Sequence, residues 1–249
     1  MKVIVVGAGP GALADFTGRA TDAVKEADIV LTSDRLAQPL KQLNGNVRIL
    51  GVMDTAAFIN DKAGEDMKIC VCASGDTGFY SIASTLAKKI DPAIDLEFIS
   101  GIGSLAYFAA KVKMGYEDMK LVSLHGKDKS IVPYVCYNER VFTLTGGSIK
   151  AHDIIKSLRE AGLSNVTLYI GEKLSMEEER IVKGSPAELA DAVFDDLTVM
   201  IIENKDYVNR YVTLKDGDFV RGKSPMTKEA VRNLSVSALE IEPADIVYD

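Results

Sequence analysis

The sequence predicts an α/β protein whose N-terminal part is built on a mostly parallel sheet. Three observations carry this expectation. Short apolar runs rich in β-branched residues lack polar alternation, which is the pattern of strands covered on both faces. Stretches with helical spacing separate those runs. Glycine-bearing loops close three of them, at residues 7–11, 74–78 and 100–103. At about 150 residues per domain, the 249 residues suit one large domain or two modest ones. Either has enough chain to bury a core.

The elements follow in order. Lys2-Val3-Ile4-Val5-Val6 reads as a strand, ended by Gly7-Ala8-Gly9-Pro10-Gly11. An irregular loop over 8–17 should precede a helix over 19–27, because Gly18 interrupts the helical pattern. A strand at 29–31, a helix from Arg35, a strand at 47–50 and a helix at 55–63 come next. The buried run 69–73 leads into Ser74-Gly75-Asp76-Thr77-Gly78 and an expected helix over 79–89. A strand at 96–99 then runs through Ser100-Gly101-Ile102-Gly103 into a helix over 104–112.

A seam between domains is expected near 112–118. Beyond it, strands are expected at 121–124, 141–144, 166–170, 180–183 and 199–202, with helices at 149–161 and 186–195. Ser185 would cap the second of these helices, with Pro186 at its first position. Strands near Val166 and Ile181 follow one another without a crossover helix, so the C-terminal sheet should be mixed. After the turn signal Asp216-Gly217-Asp218, Thr227 would cap a helix over 227–239 with Val231, Leu234 and Leu239 on its apolar stripe. Residues 245–249 read as a strand, so the chain is expected to stop mid-fold. The expected division is 1–114, 115–210, and a linker with the start of another domain at 211–249.

Charge and composition narrow the function. Lys and Arg total 29 against 36 Asp and Glu, a net charge of −7. With an isoelectric point near 5.0, this argues against a general nucleic-acid binder. There is no run of about 18 apolar residues to span a membrane. No basic-then-apolar leader precedes the strand at Lys2, so no secretory signal is expected. Cys70 and Cys72 alternate along one run and are expected on opposite faces of the strand, which suits neither a disulfide nor a shared metal. The cysteines are read as reduced structural thiols of a cytoplasmic protein. No H-E-x-x-H, Cys/His metal spacing or G-x-S-x-G occurs, so no metal site is expected.

The glycine loops are where chemistry could sit. Gly7-Ala8-Gly9-Pro10-Gly11-Ala12 is compatible with a plain tight turn, another ligand loop, or a dinucleotide fingerprint G-x-G-x-x-A with Asp34 as its ribose acid. Against the last, the interruption at Gly18 displaces the helix that should carry a pyrophosphate. In the second loop, backbone N–H groups could hold a carboxylate and Asp76 an ammonium, the pair an amino acid presents. Alternatively Asp76 caps the following helix. Three such loops at three strand ends suggest one ligand lying across the top of the sheet. His125 is either a turn residue or a functional histidine, His152 should face solvent, and residues 175–180 read as a solvated turn or helix face.

These motifs carry a resemblance. The order GAGPG, SGDTGFY, ISGIGSLAYFAAK and LVSLHG is similar to the tetrapyrrole (precorrin) methyltransferase family over roughly residues 1–205. The run from Gly101 to Gly126 most resembles the branch that methylates C5 of cobalt-precorrin-7 in cobalamin synthesis. The resemblance implies the tetrapyrrole methylase fold: two α/β domains with a cleft for S-adenosylmethionine between them, in a homodimer. It also implies a cobalt-precorrin substrate, with His125 as candidate for catalysis. Pro10, Ser74, Gly75, Asp76, Phe79, Gly103, Ser104, Leu105, Leu144 and Gly171 would bind the methyl donor. Gly9, Pro10, Gly11 and His125 would meet the tetrapyrrole.

Thr77 and Ser100 stand where the family pattern has prolines, which shape loops rather than supply reactive atoms. The stretch from Arg221 onward resembles the start of the C15-methyltransferase and C12-decarboxylase, which implies a fused or associated second enzyme. A helix–strand extension belonging to the first domain is the alternative. For function, the alternatives to methyl transfer are a Rossmann-type oxidoreductase and a non-catalytic S-adenosylmethionine-binding domain.

Overall fold

The computed structural model describes residues 1–124, 129–208, 214–220, 222, 225–241 and 245–247. The chain forms two compact units: Met1–Glu117 with Ile170–Val182 and Asp195–Val199, and Asp118–Tyr169 with Lys183–Phe194 and Met200–Asp249. Among the described residues, ten strands make two five-stranded sheets.

The first sheet uses β1 (Lys2–Gly7), β2 (Ile29–Thr32), β3 (Val47–Ile49), β4 (Lys68–Ala73) and β5 (Asp95–Ile99). Its order is β3-β2-β4-β1-β5, and every pairing is parallel. The helices between these strands are α1 (Gly18–Glu26), α2 (Asp34–Leu40), α3 (Val52–Asp61) and α4 (Ala83–Lys89), and α5 (Ser104–Lys111) follows β5. The period-2 alternation of strands divides the core into two layers. Val3, Val5, Ile69, Val71, Ile29 and Leu31 pack with Ile59 of α3 and Leu86 of α4. Val6, Val30, Cys70 and Cys72 pack with Val24 of α1 and Leu36 and Leu40 of α2. Both faces are covered, which is why the strands lack polar alternation.

That division corrects the expected placement of the cysteines. Residues i and i+2 of a strand share a face, so Cys70 and Cys72 lie side by side with their Sγ atoms 4.0 Å apart. The hydrogen bond with Cys70, reinforced by burial, pushes the Cys72 thiol well up. A buried thiol held protonated is inert rather than reactive.

The second sheet has the order β6-β7-β10-β8-β9 and is mixed. Its strands are β6 (Lys120–Ser123), β7 (Arg140–Leu144), β8 (Thr167–Glu172), β9 (Arg180–Gly184) and β10 (Thr198–Glu203). Helix α6 (Val132–Cys136) is a single turn that periodicity did not reveal, whereas α7 (Ala151–Glu160) buries the stripe Ala151, Ile154, Ile155 and Leu158.

Four expected elements differ. The helix over 79–89 starts only at Ala83, because Tyr80 takes φ 47°, a conformation that bulky side chains rarely adopt. Residues 186–191 form turns and 192–195 are irregular, so no helix forms there. The Ser185 cap is nevertheless present: Glu188 N–H donates to Ser185 Oγ (3.3 Å) and Ser185 N–H to Glu188 Oε2 (2.7 Å). A good cap starts a turn but does not supply the apolar face that sustains a helix. Near the C-terminus, α8 (Glu229–Ala238) has Lys228 rather than Thr227 at its N-cap. Residues 245–247 are not in a strand, and Tyr248 and Asp249 lie outside the described residues. Among the described residues no helix is long and apolar enough to cross a membrane.

Candidate functional site: the carboxyl ends of the first sheet

The strand order fixes where a ligand can enter. From β1 the chain crosses over β4 to reach β2, and from β4 it crosses over β1 to reach β5, so the connections leave these neighbours in opposite directions. Such a switch point opens a crevice at the carboxyl ends of the two strands. The loops after β1, β4 and β5 all meet there.

Their meeting is enforced by backbone. Ala8 N–H donates to Ala73 O (2.8 Å), Gly9 N–H to Gly75 O (3.1 Å) and Gly75 N–H to Gly9 O (2.8 Å). Gly9 and Gly75 both have positive φ, +64° and +69°, which glycine takes without strain. A Cβ on Gly7 would lie 2.6 Å from Gly101 N and 2.7 Å from Gly75 O. Only side chains of hydrogen allow these three loops to touch.

Asp76 locks the second loop to the third. Its Oδ1 accepts from Gly78 N–H (2.7 Å) and its Oδ2 from Gly101 N–H (3.1 Å). The first bond closes a turn around Thr77, which the family proline would otherwise stiffen. Since α4 opens seven residues later, Asp76 is not its cap. Gly103 precedes α5 without a side-chain cap bond, so the first turn of α5 presents backbone N–H groups beside Gly75. Among the described residues, a Cβ placed on Gly75 would find only Gly103 Cα and Ser104 N, both at 3.9 Å, which leaves room for a ligand at this edge.

The structure thus brings together Gly9, Gly75, Asp76, Gly103 and Ser104. Pro10 and Gly11 continue the first loop and are buried, while Ser74 is exposed. Leu105 lies in the first turn of α5 and is buried. Phe79 stacks edge-on against Tyr80, ring centroids 4.8 Å apart. Gly171 sits in β8, where a Cβ would come within 2.8 Å of the Phe108 ring of α5. It therefore acts in packing that helix. Leu144 ends β7 in the second unit and accepts from Leu124 N–H at 3.3 Å. His125 lies outside the described residues.

Sequence reasoning missed the groups that brace this site. Residues 175–180, expected as a solvated turn, are tied to the first loop and to α5. Ser175 Oγ accepts from Ala12 N–H (2.8 Å). Glu179 accepts from Ser175 N–H, from Tyr107 O–H and from the Lys111 ammonium, each at 2.7 Å. Burial pulls the Glu179 carboxyl up, but the bonds from Lys111, Tyr107 and Ser175 outweigh it and hold the group below its ordinary value. The same contact with Glu179, then that with Tyr107, raises Lys111. Lys173 and Ser175 adopt φ of 45° and 63°. Two such residues in one turn mark backbone held by its surroundings. At the other side of the loop, Arg35 Nη1 donates to Pro10 O (3.0 Å). The only available signal was the charged run Glu177–Arg180 after Ser175, and partners 68 to 163 residues away leave no local pattern.

Comparison with known proteins decides the family. The profile of the tetrapyrrole (corrin/porphyrin) methylases matches residues 2–190. The chain belongs to this family. It is 29% identical over 215 residues to a Methanocaldococcus jannaschii protein named "Probable cobalt-precorrin-7 C(5)-methyltransferase", covering 83% of this chain and 100% of that one. It is 26% identical over 251 residues to the Sinorhizobium "Precorrin-6Y C(5,15)-methyltransferase [decarboxylating]", covering 98% of this chain but 60% of that longer protein. Among solved structures, the uroporphyrin-III C-methyltransferase of Thermus thermophilus complexed with S-adenosylhomocysteine shares the fold. Its TM-score is 0.67 at 19% identity, covering 82% of this chain and 97% of that one. Within a tetrapyrrole methylase, the dinucleotide alternative also fails on geometry. After Gly9 come a 3₁₀ turn at Leu13–Asp15 and a helix only at Gly18, so the helix that follows β1 does not begin at the glycines, as a dinucleotide fingerprint requires.

Proposed function

We propose that this tetrapyrrole methylase transfers a methyl group from S-adenosylmethionine to C5 of a cobalt-precorrin in cobalamin synthesis. One observation carries the reading from family to site: three glycine loops converge at the β1/β4 switch point beside the open N-terminus of α5. When bound, S-adenosylmethionine supplies an electrophilic methyl group on a sulfonium. The residues present fit its amino-acid end. Backbone N–H groups of Ser104 and Leu105 suit the carboxylate, and the half-buried Asp76 carboxylate suits the ammonium. Gly9, Pro10 and Gly11 are assigned to the tetrapyrrole side.

The protein's work is then alignment and exclusion of water. Orientation can supply about 7–11 kcal/mol, so a site made of rigid backbone loops needs no strong base. The names of the relatives support the C5 position, and that of the longer Sinorhizobium protein supports association with a C15-methyltransferase. A homodimer and a cytoplasmic location complete the proposal; neither nucleic acid nor membrane has a role in it.

Calorimetry with S-adenosylhomocysteine, NAD and FAD tests the ligand class, with binding expected for the first alone. Turnover of cobalt-precorrin-7 then tests the reaction. Asp76→Ala should weaken S-adenosylhomocysteine at least tenfold, since it frees both the ammonium partner and the tether to Gly101. Unchanged affinity would remove Asp76 from the site.

A further inference from the structure

We infer that Arg35 is the cation that anchors a carboxylate side chain of the tetrapyrrole. The inference rests on the proposed reaction and names a recognition element within its site.

The argument begins with charge balance. Among the described residues, Arg19, Arg140, Arg180 and Arg232 each meet a carboxylate: Glu97, Asp118, Glu172 and Asp216. Arg48 lies over the Phe58 ring, 5.5 Å from its centroid, and Arg159 is exposed in the last turn of α7. Arg35 differs. Its one polar contact among the described residues is the neutral carbonyl of Pro10 at 3.0 Å, although it is half-buried. Burial alone lowers its pKa, and among the described residues no carboxylate is paired with it. A guanidinium removed from water without a counter-charge is costly. Proteins keep such a group where a ligand completes the pair.

Its position says which ligand. Arg35 opens α2 directly after the carboxyl end of β2, the strand beside β4. It grips Pro10, which the resemblance assigns to both ligands, in a loop whose Gly9 and Gly11 are assigned to the tetrapyrrole alone, while the donor's carboxylate already has the backbone N–H groups that open α5. One Nη1–H is used, so the rest of the planar fork remains for a bidentate carboxylate. Precorrins are polycarboxylates, and the acidic chain, at −7 overall, gives them no general attraction. A local, uncompensated arginine supplies the attraction where it is needed.

The test uses the full-length protein with cobyrinic acid, a corrinoid polycarboxylate, and with cobyrinic acid amidated at its side chains. S-Adenosylhomocysteine is titrated in parallel. Wild type should bind the acid at least tenfold tighter than the amide. Arg35→Met should lose about 10- to 100-fold in affinity for the acid, the range of a charged hydrogen-bonded pair. It should keep its weak affinity for the amide and its full affinity for S-adenosylhomocysteine. Arg35→Lys should fall between, keeping charge without the fork.

Equal weakening of acid, amide and S-adenosylhomocysteine would make Arg35 a brace for Pro10 and overturn the inference. So would an Arg35→Met that binds the acid normally, or a wild type that binds S-adenosylhomocysteine but does not distinguish acid from amide. In these cases the proposed reaction stands. Failure of wild type to bind S-adenosylhomocysteine would instead overturn the reaction itself, and the inference with it.

Discussion

Helices α5 and α8 have similar lengths and each carries an apolar stripe, yet they end in opposite circumstances. α5 buries Leu105, Phe108 and Ala109, and its Phe108 ring fills the space that Gly171 leaves by having no side chain. α8 buries nothing. Its Val231, Leu234, Val236 and Leu239 are 53%, 72%, 58% and 64% exposed. What holds α8 is local and polar: Arg232 reaches Asp216 at 3.0 Å and Leu214 O at 3.1 Å, and lies over the Phe219 ring. A stripe at helical spacing therefore says that a face is apolar, not that anything meets it. The difference lies in the partner, and the partner of α5 includes a glycine 63 positions from Phe108 in the sequence.

The largest effect should come from the loops that α5 follows. Gly101→Ala would drive a Cβ into the Gly7 carbonyl and to 2.7 Å from Gly75 O. All of these are backbone atoms, of the end of β1 and of the loop bonded to it, and cannot yield. Loss of about 4 kcal/mol or more, or no folded protein at all, is expected in urea denaturation. A variant of normal stability would mean that the three loops are not locked together.

The helices themselves can be set against each other by one truncation each. Phe108→Ala removes a fully buried ring and should cost about 3–5 kcal/mol. Leu234→Ala, on the exposed stripe of α8, should stay within about 0.5 kcal/mol. Similar losses at both sites would show that α8 has a packing partner after all.

A smaller effect separates charge from packing on α5. Glu179→Gln should cost about 1–2 kcal/mol, because Ser175 N–H and Tyr107 O–H lose a charged acceptor. The pH dependence has a definite sign. The carboxyl is held below its ordinary value of 4.5, so its contribution is complete above that pH and fades as pH falls through the lowered value. Lys111 is held above its ordinary 10.5, so its contribution is complete below that pH and fades as pH rises through the raised value. Wild type should therefore exceed the variant by a constant margin from about pH 5 to 10, and the margin should shrink in acid. A margin flat down to pH 2 would place the effect in packing.

The same contrast explains what was legible in the sequence. The first sheet could be read because its central strands β1, β2 and β4, buried on both faces, carry their signal locally in runs such as Val3–Val6. The convergence of loops could be read because Gly9, Gly75 and Gly101 each follow a strand of one parallel sheet, whose carboxyl ends must lie together. Arg35, Ser175 and Glu179 could not, because their importance lies in contacts with residues distant in sequence. Ser185 misled in the other direction: a real cap promised a helix that nothing downstream sustains. Cys70 and Cys72 needed only the strand period, correctly applied.

The smallest expected effect concerns α8 as a whole. Ordering each residue costs about 1–2 kcal/mol of backbone entropy, and a ten-residue helix is marginal alone in water. Here no buried apolar area offsets that cost. Arg232 gives hydrogen bonds and a cation–π contact, but its Nε is buried without a partner, which takes back part of the gain. These contributions nearly cancel, so α8 sits close to its own melting point and is poorly coupled to the sheets. Removing residues 225–249 should then change stability by less than about 0.5 kcal/mol, or about 1–2 °C in Tm, and leave S-adenosylhomocysteine affinity unchanged. In the full-length protein, amide hydrogens of α8 should exchange orders of magnitude faster than those of α5. A Tm drop of about 5 °C or more on truncation would show that the exposed stripe is covered in solution. The partner would then be another part of this chain or a second copy, which the concentration dependence of Tm distinguishes.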